Sequence, residues 1–270
     1  MDQEPSPLAI LTPLPAEARA VCRALSQVGP APDRDDVFEG RIAGQRVVVG
    51  VSGVGSAAAE RTARLLVGAY RPQALLVAGV AGALDPSLGR GQLAVSRRVR
   101  YGAGAASGEN GEIVCDDDLV RAARRALRRT RVGFALTDCA TVDAPITGVR
   151  EKTEAWNRLG AGVVDMEAYW AGLVARDKAI PFLSVRVVLD RASDSLPAFT
   201  RRWRGPADNP KVLYSLLTRP WQAPQAFLLR HRLSRVTRRL TVLLPDLVPS
   251  LSSNGDALRP KTHATAPPAG

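Results

Sequence analysis

The chain has 270 residues, 46% of them hydrophobic, enough for one large α/β core and an additional segment. Its formal charge of +11 comes from 37 Lys and Arg against 26 Asp and Glu. Twelve of the basic residues but only three acidic ones fall in residues 195–270, which leaves the rest nearly neutral.

Cys22, Cys115 and Cys139 are too few and too widely spaced for a disulfide framework or a CxxC metal site, so no metal is expected. Asp2 and Glu4 precede the first apolar run, unlike the basic start of a secretory leader. No run approaches the ~20 apolar residues that a membrane span needs. A reduced, cytoplasmic setting is the expectation.

In chain order, Leu8–Leu11 reads as a strand and Pro15–Ser26 as a helix. Pro15 suits the first helical position, and Glu17 lies in the first turn, where the helix dipole favours an anion. The strand Val47–Val51 runs through Ser52-Gly53-Val54-Gly55-Ser56 into a helix over Ala57–Ala69. Strands over Leu75–Val80 and Leu93–Val95 flank a second glycine turn, Ala78 to Leu84. A helix over Asp117–Arg129 opens on Asp116, Asp117 and Asp118 and closes on Arg124, Arg125, Arg128 and Arg129, a solvated face in dipole order. A strand over Val132–Leu136, a helix over Met166–Lys178 and a strand over Phe182–Val188 complete the alternation. The pattern predicts an α/β fold, a three-layer α/β/α arrangement with a central mixed, mostly parallel sheet.

After Leu196 the composition shifts: Arg201, Arg202 and Arg204 surround Trp203, and Gly205-Pro206 breaks what precedes. The expected division is a domain over 1–200, a basic amphipathic helical extension over 201–254 and a disordered tail over 255–270. In the extension, a C-terminal helical appendage near residues 225–244, Leu229, Leu233, Val236, Leu240 and Leu243 share one stripe. His231, Arg235, Arg238 and Arg239 turn away from it. Two uses stay open: lying on an anionic membrane surface, or packing on the core or a second subunit. Charge confined to a proline-broken tail with few aromatics argues against a nucleic-acid partner.

Only His231 and His263 are histidines, so residues 1–230 must do any acid–base work with carboxylates. Two glycine turns beside strand ends mark where ligands of open α/β sheets sit. The first can hold an anion on backbone N–H groups or only let strand and helix pack closely, and it is not a Walker motif. Val164-Asp165-Met166-Glu167-Ala168 puts acids at a helix start, and Asp190 ends the apolar run 182–189. Arg186, in that run, is costly to bury unless paired, and Glu167 is the partner expected.

Four segments in this order resemble the nucleoside phosphorylase and methylthioadenosine/S-adenosylhomocysteine nucleosidase superfamily: Ile10 to Glu17; Ser52 to Gly55; Ala78 to Leu84 with Gly91; and Val164 to Ala168 leading to Pro181–Arg186 and Asp190. The likeness is closest to the hopanoid-associated phosphorylase branch, through Val80, Asp143-Ala144-Pro145, and Leu216-Leu217-Thr218-Arg219-Pro220 before an arginine-rich helix. The resemblance implies cleavage of a purine N-glycosidic bond with no cofactor, phosphate being a candidate co-substrate. It makes Asp190 the proton donor to purine N7 and Glu17 the base that activates water in hydrolytic members. Met166, Glu167, Arg186, Val80, Gly79 and Asp165 become substrate-binding residues.

Phosphate-using members carry an arginine and a serine where this chain has Val77 and Val80, so a dianion lacks two contacts. Pro145 stands near a base-stacking aromatic of hydrolytic members; Tyr169 or Trp170 could supply that surface instead, but packing on their own helix is the expected role of both. The leading expectation is release of adenine from a 5′-substituted adenosine, the substituent extending to a polycyclic lipid such as that of adenosylhopane. Its alternatives are a methylthioadenosine/S-adenosylhomocysteine-type nucleosidase and a nucleoside binder without turnover. A homo-oligomer is implied by the family, and peripheral association with the inner membrane surface by the tail.

Overall fold

The computed structural model describes residues 5–102, 111–130, 132–197, 200 and 223–252. The expected break around Trp203 and Gly205-Pro206, the Leu216–Pro220 segment and the tail over 255–270 lie outside them. Ten strands form one mixed sheet: β1 Leu8–Thr12, β2 Ser26–Ala31, β3 Arg34–Ile42, β4 Gln45–Val51, β5 Ala74–Ala83, β6 Leu93–Tyr101, β7 Glu112–Val114, β8 Phe134–Thr141, β9 Val163–Asp165 and β10 Phe182–Asp190. Among the described residues six helices accompany these ten strands: α1 Pro15–Cys22, α2 Ser56–Tyr70, α3 Asp117–Arg129, α4 Val149–Leu159, α5 Ala168–Asp177 and α6 Ala223–Ser252.

The central strands are apolar on both faces because helices cover both. Every residue of β1 is buried, as a strand lying between two helical layers requires. α1, α3 and α6 pack together on one side, and α2 packs with α5 on the other. β1 runs parallel to β4 and β5, β5 to β10, β6 to β8 and β8 to β9. Antiparallel pairings of β10 with β6 and of β9 with β5 close β5, β10, β6, β8 and β9 into a ring.

Four strands escape the sequence patterns. β2 and β3 form a largely exposed hairpin with little apolar alternation, while β7 and β9 are only three residues long. α4 escapes too, because little of it is buried, although Gly148 before it, Glu151 in its first turn and Gly160 after it are start and stop signals. Gly50 on β4 shows why a glycine lies in that strand. A Cβ there would sit 2.9 Å from Thr62 Cγ2 on α2, so part of the glycine pattern does serve close packing.

α6 outruns its expected end at residue 244. Pro245 and Pro249 lie inside it, and each removes a backbone donor. Buried Leu247, Val248 and Leu251 continue the stripe of Val236, Leu240 and Leu243 into the main core cluster. Tertiary burial thus carries the helix past its breakers. Thr241 Oγ1 also donates to Ala20 O at 2.6 Å. The second half of α6 packs on the core, and His231, Arg235, Arg238 and Arg239 face solvent.

α3 matches its expected bounds, and its start is capped by Asp116, whose Oδ1 accepts from Asp118 N and Leu119 N at 2.9 and 3.0 Å. Asp116→Ala should lower stability by about 1 kcal/mol in urea unfolding and leave catalytic rates unchanged, since the cap lies away from the cavity described next.

Candidate active site

The ends of β1, β5, β9 and β10 and the starts of α1 and α5 enclose a cavity of about 210 Å³. Glu17, Asp165, Glu167 and Asp190 all line it, amid apolar neighbours that include Leu14, Val54, Val80, Ile146, Met166 and Leu196. Leu229 and Leu233 of α6 close one side. Of the residues singled out in the sequence, Glu17, Val80, Asp165, Met166, Glu167 and Asp190 meet in this cavity. Gly79 and Arg186 stand behind its wall.

Glu17 is 1% exposed, unlike an ordinary first-turn acid. One oxygen accepts from Leu14 N at 2.7 Å, the helix-capping arrangement, and the other from Val80 N on β5, also at 2.7 Å. Burial outweighs these donors and Arg186 and pushes its pKa from 4.5 to about 7. Gly79 makes the crossing possible: a Cβ there would lie 2.7 Å from Glu17 Oε1 and 2.8 Å from Arg186 Nη1. Any side chain at 79 would displace the carboxylate, the guanidinium or both.

Arg186 is fully buried and does not take the expected partner. Its Nη2 donates to Asp165 Oδ2, while Asp165 also accepts from Thr141 Oγ1 at 2.6 Å and Ala168 N at 3.0 Å. Asp165 wins because the short strand β9 aims it at the sheet, whereas Glu167 lies two residues past the end of the strand, at the cap position of α5. Glu167 instead accepts from Gly55 N at 2.9 Å and Met166 N at 3.3 Å. The acceptor held by the first glycine turn is therefore one of the protein's own carboxyl groups. Burial, then the nearby Asp165, raises the Glu167 pKa from 4.5 to about 8. Breaking the Arg186 pair would leave a buried cation unpaired, a loss of about 3–5 kcal/mol.

Asp190 sits where β10 departs from regular pairing with β5, between Val188 and Asp190. Such irregularities re-aim side chains beside active sites. Its carboxyl lies against Gly82, 3.4 and 3.6 Å from where a Cβ would stand. Only 2% exposed, it has its pKa raised by burial, and Lys152 pulls it part of the way back. Lys152 of α4 donates to Asp190 Oδ2, a contact the sequence patterns missed. Its signal was the stripe Lys152, Ala155, Trp156 and Leu159, with a lysine where an apolar residue is due.

Tyr169 and Trp170 do not line the cavity. They cluster with Tyr101, whose ring stacks on Tyr169 at 5.3 Å and meets Trp170 edge-on at 5.0 Å. Among the described residues no His/Cys/Asp/Glu cluster has the spacing for a metal ion.

Acids of raised pKa around an apolar cavity are what proton-transfer chemistry requires. Residues 7–206 match the model of the phosphorylase superfamily, and the chain belongs to that superfamily, as an enzyme cleaving N-glycosidic bonds. The 5′-methylthioadenosine/S-adenosylhomocysteine nucleosidase of Staphylococcus carnosus is 31% identical over 167 residues, 58% of this chain and 73% of that protein. That of Shewanella piezotolerans is 29% identical over 170 residues, 57% and 73% of the two. Among solved structures, the nucleosidase of Neisseria meningitidis in complex with methylthio-immucillin-A superposes with TM-score 0.73 at 17% identity, covering 91% of this chain and all of that one. A mutant futalosine hydrolase of Helicobacter pylori gives TM-score 0.71 at 15% identity, covering 91% and 100%. These likenesses show the fold.

Glu17 and Glu167 carry pKa values above those of the unfolded chain, so the folded protein holds protons that the unfolded one releases. Stability then falls as pH rises from about 4.5 through about 7 for Glu17 and about 8 for Glu167. Urea unfolding followed across this window should show that decline. Glu17→Gln should flatten the part of it that ends near pH 7.

Proposed function

We propose that the chain hydrolyses the N-glycosidic bond of a 5′-substituted adenosine and releases adenine. One observation carries this reading: Glu17, Glu167 and Asp190 share one apolar cavity, and none of the described residues lining it is Lys or Arg. Among the described lining residues a phosphate dianion would meet carboxylates and no cation. Water needs only a base. Glu17, with a pKa near 7, is matched to that task at neutral pH.

As the C1′–N9 bond breaks, its electron pair moves onto the purine and positive charge grows on the ribose. Asp190 gives its proton to N7, lowering the cost of the departing base. Water adds to C1′ and loses its proton to Glu17. Glu167 accepts hydrogen bonds from the ribose hydroxyls, donors that favour its ionised form and draw its pKa down on binding. Met166 packs on the sugar. Behind them, the Arg186–Asp165 pair holds the start of α5 in place.

The 5′ group is the finer part of the reading. Leu229 and Leu233 bring α6 to the cavity, and on the same stretch Phe227 and Leu228 are 70% and 52% exposed beside exposed Arg230 and His231. This supports an apolar 5′ substituent, up to the polycyclic lipid implied by the hopanoid-associated likeness, taken from a membrane surface by peripheral contact. No described helix is long and apolar enough to cross a membrane. A methylthioadenosine/S-adenosylhomocysteine-type nucleosidase is the second reading, favoured by the named relatives. A cytoplasmic homo-oligomer fits both.

Adenine release from a panel of adenosines differing at the 5′ carbon, with and without phosphate, tests the reading. The expected result is release independent of phosphate and faster with larger apolar groups, falling about 100-fold or more in Glu17→Gln. Phosphate-dependent release that survives Glu17→Gln would overturn hydrolysis, and a preference for the methylthio group would favour the second reading.

A further inference from the structure

Lys152 is a lysine with no access to solvent or substrate. An ammonium has three hydrogens to donate, and here all three are committed: to Asp190 Oδ2, to Arg191 O at 2.7 Å and to Asp194 O at 2.8 Å. The segment that supplies those carbonyls is itself tied down. Asp194 accepts from Arg90 Nε and Nη2 at 2.8 and 2.6 Å and from Arg191 N at 2.7 Å. Burying an ammonium is costly unless it is paired and fully hydrogen-bonded. A methionine or leucine would fill the same space at less cost if packing were the only need.

What the cation gains is control of one carboxyl group. Oδ2 of Asp190 is taken by Lys152, and among the described residues Oδ1 accepts no hydrogen bond. The groups facing Asp190 are Lys152 from α4, Asp194 from the segment after β10 and Arg90 from the turn before β6. Glu17, Asp165 and Glu167 share its cavity. Only Lys152 among them touches the carboxyl.

We propose that Lys152 is a positioning residue for the proton donor, holding Asp190 with Oδ1 toward the leaving base and stabilising the carboxylate that remains once the proton has gone. This rests on the hydrolytic reading above. In the step itself the Oδ1–H bond breaks as N7–H forms, and the C1′–N9 pair goes to the purine. The ammonium keeps its three hydrogens throughout. It makes Asp190 a stronger acid than burial alone would leave, while burial keeps the proton available.

The test is the pH dependence of adenine release from methylthioadenosine by the full-length protein and its Lys152→Met and Lys152→Arg variants. Activity that needs a protonated Asp190 is lost as pH rises through its pKa. Without the cation that alkaline limb should move to higher pH, and kcat should fall about 100-fold with little change in KM. Lys152→Arg keeps the charge but shifts the carboxyl, so the rate should fall while the limb of the remaining activity stays in place. A Met variant that is slower at every pH with the limb unmoved, or that is unimpaired, overturns the proposal. If the Met variant does not fold, Lys152→Arg decides through the leaving group. Its longer guanidinium displaces the carboxyl, so adenine release should fall while 4-nitrophenol release from 4-nitrophenyl riboside, which needs no proton donor, is kept. Equal loss on both substrates, or loss on neither, is the contrary result. A wild-type protein that releases no base from any nucleoside would instead defeat the hydrolytic reading itself.

Discussion

Concentrating the buried acids Glu17, Asp165, Glu167 and Asp190 around one apolar cavity carries an electrostatic cost that the rest of the structure is arranged to meet. Each carboxyl is answered differently. Asp165 faces the buried guanidinium of Arg186 and Asp190 the buried ammonium of Lys152. Glu17 and Glu167 accept hydrogen bonds from backbone N–H groups, at Leu14 and Val80 and at Gly55 and Met166, with Arg186 acting on both through space, and their protons are held to higher pH. The acids bonded directly to a cation and the acids bonded to backbone N–H groups thus have different surroundings, the pattern by which one site can carry both an acid and a base.

The fold supplies these answers from elements far apart in sequence. β1 leads into α1 and delivers Glu17, β5 contributes the Val80 N–H and the clearance at Gly79, β9 delivers Asp165, and β10 carries Arg186 and Asp190 side by side with β5. Because β5 pairs with β1, β9 and β10 together, a shift in its register would move every one of these contacts at once. α6 adds an apolar wall after an interval of chain outside the described residues. Its first half meets the cavity while its second half belongs to the core, so a change at the cavity mouth is mechanically linked to packing on α1 and α3.

The layered α/β architecture was legible because its central strands are continuous apolar runs and its main helices carry caps and amphipathic stripes; α3 reads to the residue. The acids were legible by their odd placement, Asp190 ending an apolar run and Asp165 and Glu167 opening a helix. Partnership was not. Arg186 invited a pairing with Glu167, but two residues at the end of β9 separate the acid that faces the sheet from the one that caps α5, and periodicity does not resolve that. Lys152 was hidden for a related reason: α4 is mostly solvated, and its lysine resembles a surface residue until the segment after β10 folds over it. Tyr169 and Trp170, whose expected role was packing on their helix, cluster with Tyr101 where β6 approaches α5, and the alternative of a stacking surface for a base is not taken up in the cavity.

The most direct test of the account is a crystal structure of the protein with a non-hydrolysable 5′-substituted adenosine analogue. The account predicts purine N7 within hydrogen-bond reach of Asp190 Oδ1, the ribose hydroxyls on Glu167, a water between C1′ and Glu17, and the 5′ group against Leu229 and Leu233. An analogue bound with its base away from Asp190, or seated outside this cavity, would contradict it.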